Sequence, residues 1–215
     1  QSLEKLFKIG HGASSSHTMG PGFASEIIKQ KYPLADYYKV TLYNSLALTG
    51  KGHLTDAIIA LKLAPAKVEF SYQIDIQKHP NYLVFEVYQT NTLLKTIPVR
   101  SIGGGDILFD LEENPIHTVY LENTFEEIKT YCKQHQISLY EYVKLNEPEI
   151  DPFLESIWQQ IQHTVEVGLS TEGILPGDLK VVRKAKTLID RAKNEESDST
   201  KQNRLISAYA FAASE

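Results

Sequence analysis

Tyr38-Lys39-Val40-Thr41-Leu42-Tyr43, then Leu54–Leu63, then Lys67–Ile76 is the stretch that decides the fold class. The first and third segments are rich in β-branched and aromatic residues and read as strands; the middle one reads as a helix. Strand signals recur at Tyr82–Gln89 and Leu93–Val99, and a helix is expected from Pro21 to about Tyr32. Thr18 or a nearby serine caps that helix, and proline suits its first turn. The pattern changes near residues 111–124, and from Thr124 onward helical segments follow one another. Leu154, Ile157, Trp158, Ile161 and Val165 recur at helical spacing and form one apolar face. Gly168 is a plausible stop for that helix, and Pro176-Gly177 marks a turn before the basic stretch Lys180–Arg191. The expected class is α+β: a mixed α/β domain over 1–118, then a helical region over 119–215.

With 42% hydrophobic content, 215 residues suffice for one or two globular domains. A net charge of −5 argues against general nucleic-acid binding, which draws on clustered Lys and Arg, and points to a small ligand. Glu4, Lys5 and Lys8 follow the first residue closely and no long apolar run occurs, so neither a signal peptide nor a membrane span is expected and the cytoplasm is the default compartment. One cysteine, Cys132, excludes an internal disulfide framework and by itself holds no cysteine-rich metal site.

Leu205–Ala213 is apolar on nearly every side, and such a helix expects to be surrounded. The expectation is that the protein continues beyond Glu215; the alternative is that this helix docks into the preceding bundle or an oligomer interface. Before it, Asn194–Asn203 is almost wholly polar and reads as a mobile loop.

Chemistry concentrates in three places. Gly10–Gly22 packs Ser14, Ser15, Ser16, His17 and Thr18 among glycines immediately before a helix. Hydroxyls and unpaired backbone N–H groups at a helix start suit a carboxylate or phosphate; a well-capped helix behind a glycine turn is the alternative. The second place is Thr49-Gly50-Lys51-Gly52-His53, with Thr55 and Asp56 in the helix that follows. It lacks the first glycine and the Ser/Thr of a nucleotide-triphosphate loop, which excludes that reading. His53 is a candidate base, acid or ligand, or else a turn histidine. The third is Ser101-Ile102-Gly103-Gly104-Gly105-Asp106, which either admits a ligand closely or makes a tight turn between strands. Cys132 reads as a small apolar contact, and His79, His117, His135 and His163 as surface or structural residues without metal-ligand spacing.

In that order, Ser14-Ser15-Ser16-His17-Thr18-Met19-Gly20-Pro21, then Leu46-Ala47-Leu48-Thr49-Gly50-Lys51-Gly52-His53 with Thr55-Asp56, then Ser101-Ile102-Gly103-Gly104-Gly105, resemble the motifs of bacterial iron–sulfur L-serine dehydratases. Thr171–Gly177 with Leu179-Lys180-Val181 and Arg183, followed by Ser207-Ala208-Tyr209-Ala210, resemble the start of that family's catalytic domain. Ala13 stands where proline is common in the family, and Asn44, Leu54 and Asp178 stand where glycine is common, which bears on local backbone geometry more than on chemistry.

The resemblance implies a first domain similar to the anion-binding regulatory domain of some D-3-phosphoglycerate dehydrogenases and the beginning of an all-α catalytic domain. It implies a lyase of amino-acid catabolism, linked to gluconeogenesis, that converts L-serine to pyruvate and ammonia. The cofactor implied is a [4Fe–4S] cluster on three cysteines, whose open iron polarises the substrate hydroxyl; with one cysteine, this chain alone is expected neither to bind it nor to be active. On the same resemblance His53 is the leading proton-transfer group and His17 the second. Ser14, Ser15, Ser16 and Thr18 hold the substrate carboxylate or another small anion, and Asn44, Lys51, Thr55 and Asp56 orient the second loop or contact substrate. A homodimer is expected, with no nucleic acid or membrane partner. The alternative function is a regulatory module that binds a small anion and does no chemistry.

Overall fold

The computed structural model describes residues 2–12, 14–109, 118–177 and 179–214. Ala13, His117 and Asp178, singled out above, lie outside them, as does much of the 111–124 segment where the pattern changes. The class is α+β, as expected. Two compact units divide the chain: an α/β unit drawn from residues 10–114 and 174–182, and a helical unit drawn from 1–9, 115–173 and 183–215.

In the α/β unit a π-helical turn, Ser15–Met19, runs directly into α1 (Gly20–Lys31). Strand β1 (Tyr37–Tyr43) follows, then the short α2 (Asn44–Thr49) and α3 (Thr55–Leu63), then β2 (Lys67–Gln73), β3 (Tyr82–Gln89), β4 (Thr92–Gly103) and β5 (Asp106–Phe109). The five strands lie in the order β2-β1-β3-β4-β5, with β1 and β2 parallel and every other pair antiparallel. A parallel pair needs a crossover, and α2 and α3 supply it. Thr90-Asn91, both at positive φ, turn β3 into β4, and Gly104-Gly105 turn β4 into β5. The three-glycine stretch makes a tight turn between strands, and β5 is a strand the sequence reading missed.

Alternation along the strands sends one set of side chains to a single apolar layer. Val40 and Leu42 of β1, Leu83, Phe85 and Val87 of β3, and Val99 of β4 are wholly buried. They pack with Ala24 and Ile28 of α1, Leu46 of α2, and Ile58, Ile59 and Leu63 of α3. The opposite set, including Tyr37, Glu69, Thr41 and Ser71, is polar and pairs across strands, with Tyr37 donating to Glu69 at 2.7 Å and Thr41 and Ser71 hydroxyls 2.8 Å apart. Ile174 and Val182 pair in an isolated antiparallel bridge, and Gly177 lies against the Leu54 side chain.

The helical unit holds α4 (Phe125–His135), α5 (Leu139–Asn146), α6 (Ile150–Ser170), α7 (Ala185–Lys193) and α8 (Asp198–Ala212). Thr124 and Ser138 each start a helix with a reciprocal capping box. Two expectations are corrected here. Gly168 does not stop a helix: α6 passes through it to Ser170, and the glycine gives Ala212 of α8 room, since a Cβ there would collide with the Ala212 backbone. The polar stretch Asn194–Asn203 is not all loop, because its second half is the start of α8. Within the described residues the apolar segment of α8 is covered only in part: Ala208 and Ala212 are buried, whereas Ile206 and Tyr209 are more than half exposed. Small residues make the close contact with α6, so the large ones face away. Among the described residues no helix is long and apolar enough to cross a membrane.

Candidate active site

Two of the three chemistry-bearing segments meet, and the third supports them from below. The π-turn is wound by Ser14: its hydroxyl accepts from the His17 N–H at 3.2 Å, and its carbonyl accepts from the Thr18 and Met19 N–H groups at 3.0 and 3.1 Å. One extra residue per turn is a local irregularity often found at functional sites. Here it presents the His17 ring sideways, with Nδ1 3.1 Å from the Ser16 hydroxyl and Nε2 2.9 Å from the Ser45 hydroxyl at the start of α2.

Backbone and side chain then cross between the two loops. Thr18 donates its hydroxyl to the His53 carbonyl at 2.8 Å, and the wholly buried Thr55 donates to the His17 carbonyl at 2.7 Å. The two histidine rings lie 4.7 Å apart, centroid to centroid, tilted by 46°. His17 is half-buried, and burial first, then the neighbouring His53, hold its pKa below the usual 6.5, with the hydrogen bond to Ser45 acting in the opposite sense. The imidazole is therefore neutral at neutral pH. The His53 ring is exposed on the loop rim.

The serines divide their work. Ser14 and Ser16 are committed within the turn, while the Ser15 hydroxyl makes no hydrogen bond to any described residue. The N–H groups of Ser15 and Ser16 open the helical run, where no acceptor exists within the helix. Below them, Ser101 is fully buried and its hydroxyl has no hydrogen-bond partner among the described residues; it packs against Gly20, where any Cβ would strike it.

Asn44 lies at φ 50° and Leu54 at φ 57°, the left-handed region that favours glycine. These are two of the positions where the sequence carries a larger residue than expected, and both keep the glycine-like backbone. Asn44 holds the segment below it: its Nδ2 donates to the carbonyls of Asp75, Lys78 and His79, and its Oδ1 accepts from the Asp75 N–H. Lys51 and Asp56 point elsewhere: Lys51 is exposed with its ammonium 5.8 Å from the Tyr72 ring centre, and Asp56 accepts from the Ala57 N–H and faces the Tyr72 hydroxyl. The structure thus brings His17, His53, Ser16, Thr18 and Thr55 together and sets Asn44, Lys51 and Asp56 at the periphery. Ser45 was given no role by the sequence reading, and Ser101 was named only within the three-glycine stretch; a serine beside Asn44 in an apolar helix start carries no signal until the fold sets it against His17.

Residues 2–69 match the family model described as the serine dehydratase beta chain, which spans the π-turn and both histidines. The chain resembles the L-serine dehydratases. It is 30% identical to L-serine dehydratase 1 of Escherichia coli over 242 residues, covering 87% of this chain and 53% of that protein. It is 26% identical to the L-serine dehydratase of Haemophilus influenzae over 272 residues, covering 100% of this chain and 60% of the relative. An L-serine dehydratase of Helicobacter pylori is 28% identical, with 59% of its length covered. The chain spans little more than half the length of these L-serine dehydratases.

Among the described residues no three His, Cys, Asp or Glu side chains converge as metal ligands. Iron–sulfur clusters are held by several thiolates, and the sequence offers Cys132 alone, half-buried in α4 with Sγ 3.9 Å from the Ser138 carbonyl. The residues present do not fit a [4Fe–4S] cluster.

Proposed function

We propose that these residues are the substrate-facing α/β part of an L-serine ammonia-lyase, which removes the Cα proton and the β-hydroxyl of L-serine to give aminoacrylate, and from it pyruvate and ammonia. The observation that supports this most is the cross-bonded pair of loops, in which Thr18 holds His53 and Thr55 holds His17 so that the two imidazoles face each other at 4.7 Å. The relatives' names supply the substrate and the reaction. No step is assigned to an iron–sulfur cluster here; on this reading its ligands lie outside these residues.

His53 is the group that accepts the Cα proton. Its ring is exposed to an incoming substrate, and His17 beside it stays neutral, so a proton on His53 meets no second positive charge. His17, fixed at both ring nitrogens by Ser16 and Ser45, is the positioning partner that sets the orientation of the pair. The Ser15 hydroxyl, unbonded among the described residues, and the N–H groups of Ser15 and Ser16 suit the substrate carboxylate.

The test is serine-dependent pyruvate formation by the enzyme that contains these residues, with and without His53→Ala. The substitution is expected to lower turnover by about 100-fold or more, the usual share of a general base, while iron content and native mass stay unchanged. Turnover retained in the variant overturns the role of His53; absence of serine turnover in the iron-loaded parent overturns the function.

A further inference from the structure

The Ser16 hydroxyl lies 3.1 Å from Nδ1 of His17 and the Ser45 hydroxyl 2.9 Å from its Nε2. We propose that Ser45 is a positioning residue for the proton transfer: with Ser16 it occupies both ring nitrogens of His17, which closes that imidazole to protons and leaves His53 as the single base. The role rests on His53 being the base, and it explains why two facing histidines divide the task unequally. A neutral imidazole has one N–H and one lone pair, whereas a hydroxyl both gives and takes. Whichever nitrogen holds the proton, one serine accepts it and the other fills the lone pair. His17 then offers no lone pair to the Cα proton of a substrate. The exposed His53 ring, 4.7 Å away, has no ring-nitrogen hydrogen bond to any described residue and is open to take it.

Both sides of this contact are anchored before a substrate arrives. Residue 21 is proline and gives no N–H to the His17 carbonyl four residues back, so the Thr55 hydroxyl takes that place at 2.7 Å. On the other side the Ser45 N–H donates to the Pro80 carbonyl at 2.9 Å, and the Ser45 carbonyl accepts the Thr49 hydroxyl at 2.8 Å. Asn44, directly before it, ties its amide to the carbonyls of Asp75, Lys78 and His79. The Ser45 hydroxyl thus reaches His17 from a backbone fixed at its N–H and its carbonyl, which is how a supporting residue holds a site group to the tolerance its chemistry needs. Ser45 acts through His17 and not on the substrate, so its loss lowers kcat and leaves KM in place.

Nitrogen-15 NMR of the histidine rings in this chain at neutral pH tests the contact, with the His17 signals assigned by His17→Gln. The parent is expected to show a His17 ring N–H that exchanges with water more slowly than that of His53. Ser45→Ala is expected to shift the His17 Nε2 resonance and Ser45→Thr, which keeps the hydroxyl, to return it. In the enzyme that contains these residues, Ser45→Ala is expected to lower kcat about tenfold, the loss of one hydrogen bond, with KM and iron content unchanged, and to cost nothing further in a His17→Ala background. A parent His17 ring N–H that exchanges as fast as that of His53 overturns the proposal, and this measurement decides it whether or not a variant folds. Ring signals that Ser45→Ala leaves in place, an equal kcat loss in Ser45→Ala and Ser45→Thr, or a full tenfold loss in the His17→Ala background also overturns it. No serine turnover in the iron-loaded parent overturns the function instead, and the ring signals then still decide whether Ser45 holds His17.

Discussion

His17 shows how far one side chain can be specified by its surroundings. Both ring nitrogens have serine hydroxyls within 3.1 Å, its carbonyl is held by Thr55, and its N–H by Ser14. Its lowered pKa has a consequence for stability. The unfolded chain binds a proton at this histidine near the ordinary 6.5, whereas the folded chain does so only at lower pH. Between those two values the unfolded state holds more protons, so stability falls as the pH drops below 6.5. Urea unfolding midpoints measured across this range should decline on acidification, and His17→Gln should flatten that part of the slope; an equal slope in the variant rules out His17 as its source. The hydroxyls and histidines of this site were legible from the sequence because they crowd into short polar runs. Ser45 was not, since its role depends on a ring 28 positions earlier in the chain.

At the level of elements, local signals located most helices and strands, and close packing decided the remainder. The helix expected from Pro21 and the strands at Tyr38–Tyr43 and Tyr82–Gln89 are present, and Leu93–Val99 lengthens into the twelve-residue β4. Helix α4 ends on Gln136 at φ 56°, an exposed side chain in the left-handed region. Gln136→Gly should stabilise the protein by about 0.5–1 kcal/mol, read as a raised denaturation midpoint, because glycine adopts that conformation without a Cβ penalty. Gly168→Ala goes the other way. Alanine is the better helix former, so propensity alone predicts a gain, yet the added methyl meets Ala212 backbone atoms that have no rotamer to change. A loss of about 1–3 kcal/mol is expected; a gain would show that α6 and α8 separate easily. The sequence reading took Gly168 for a terminator because glycine's usual meaning at a helix end is conformational. Here its meaning is steric and depends on α8, 44 positions away at Ala212.

At the scale of the whole molecule, each unit is closed by residues remote in sequence. In the helical unit Glu147 at the end of α5 gathers the N-terminal segment: it accepts from the Leu3 N–H at 2.9 Å and from the hydroxyls of Ser2 and Tyr120. Burial opposes its charge, but these donors outweigh burial and hold its pKa below the usual 4.5. Its contribution is present above 4.5 and lost as the pH falls through the lower folded value. Glu147→Gln keeps the shape and removes the charge, and should cost about 1–3 kcal/mol at neutral pH, the price of weakening several bonds in a buried site. Thermal unfolding at neutral and acid pH checks it: the difference between parent and variant should shrink on acidification.

The sequence by itself determined the class of the α/β unit, the polar runs of the candidate site, and the resemblance to L-serine dehydratases, because each is written in local composition and short spacing. Tertiary structure decided the rest. The parallel pairing of β1 with β2 and the central place of β1 between β2 and β3 depend on which strands meet, and alternation along one strand carries no partner's name. Likewise, two short polar loops became one site only when Thr18 and Thr55 crossed between them, since a hydrogen bond between residues 35 or 38 apart is set by the fold of the chain and not by either segment.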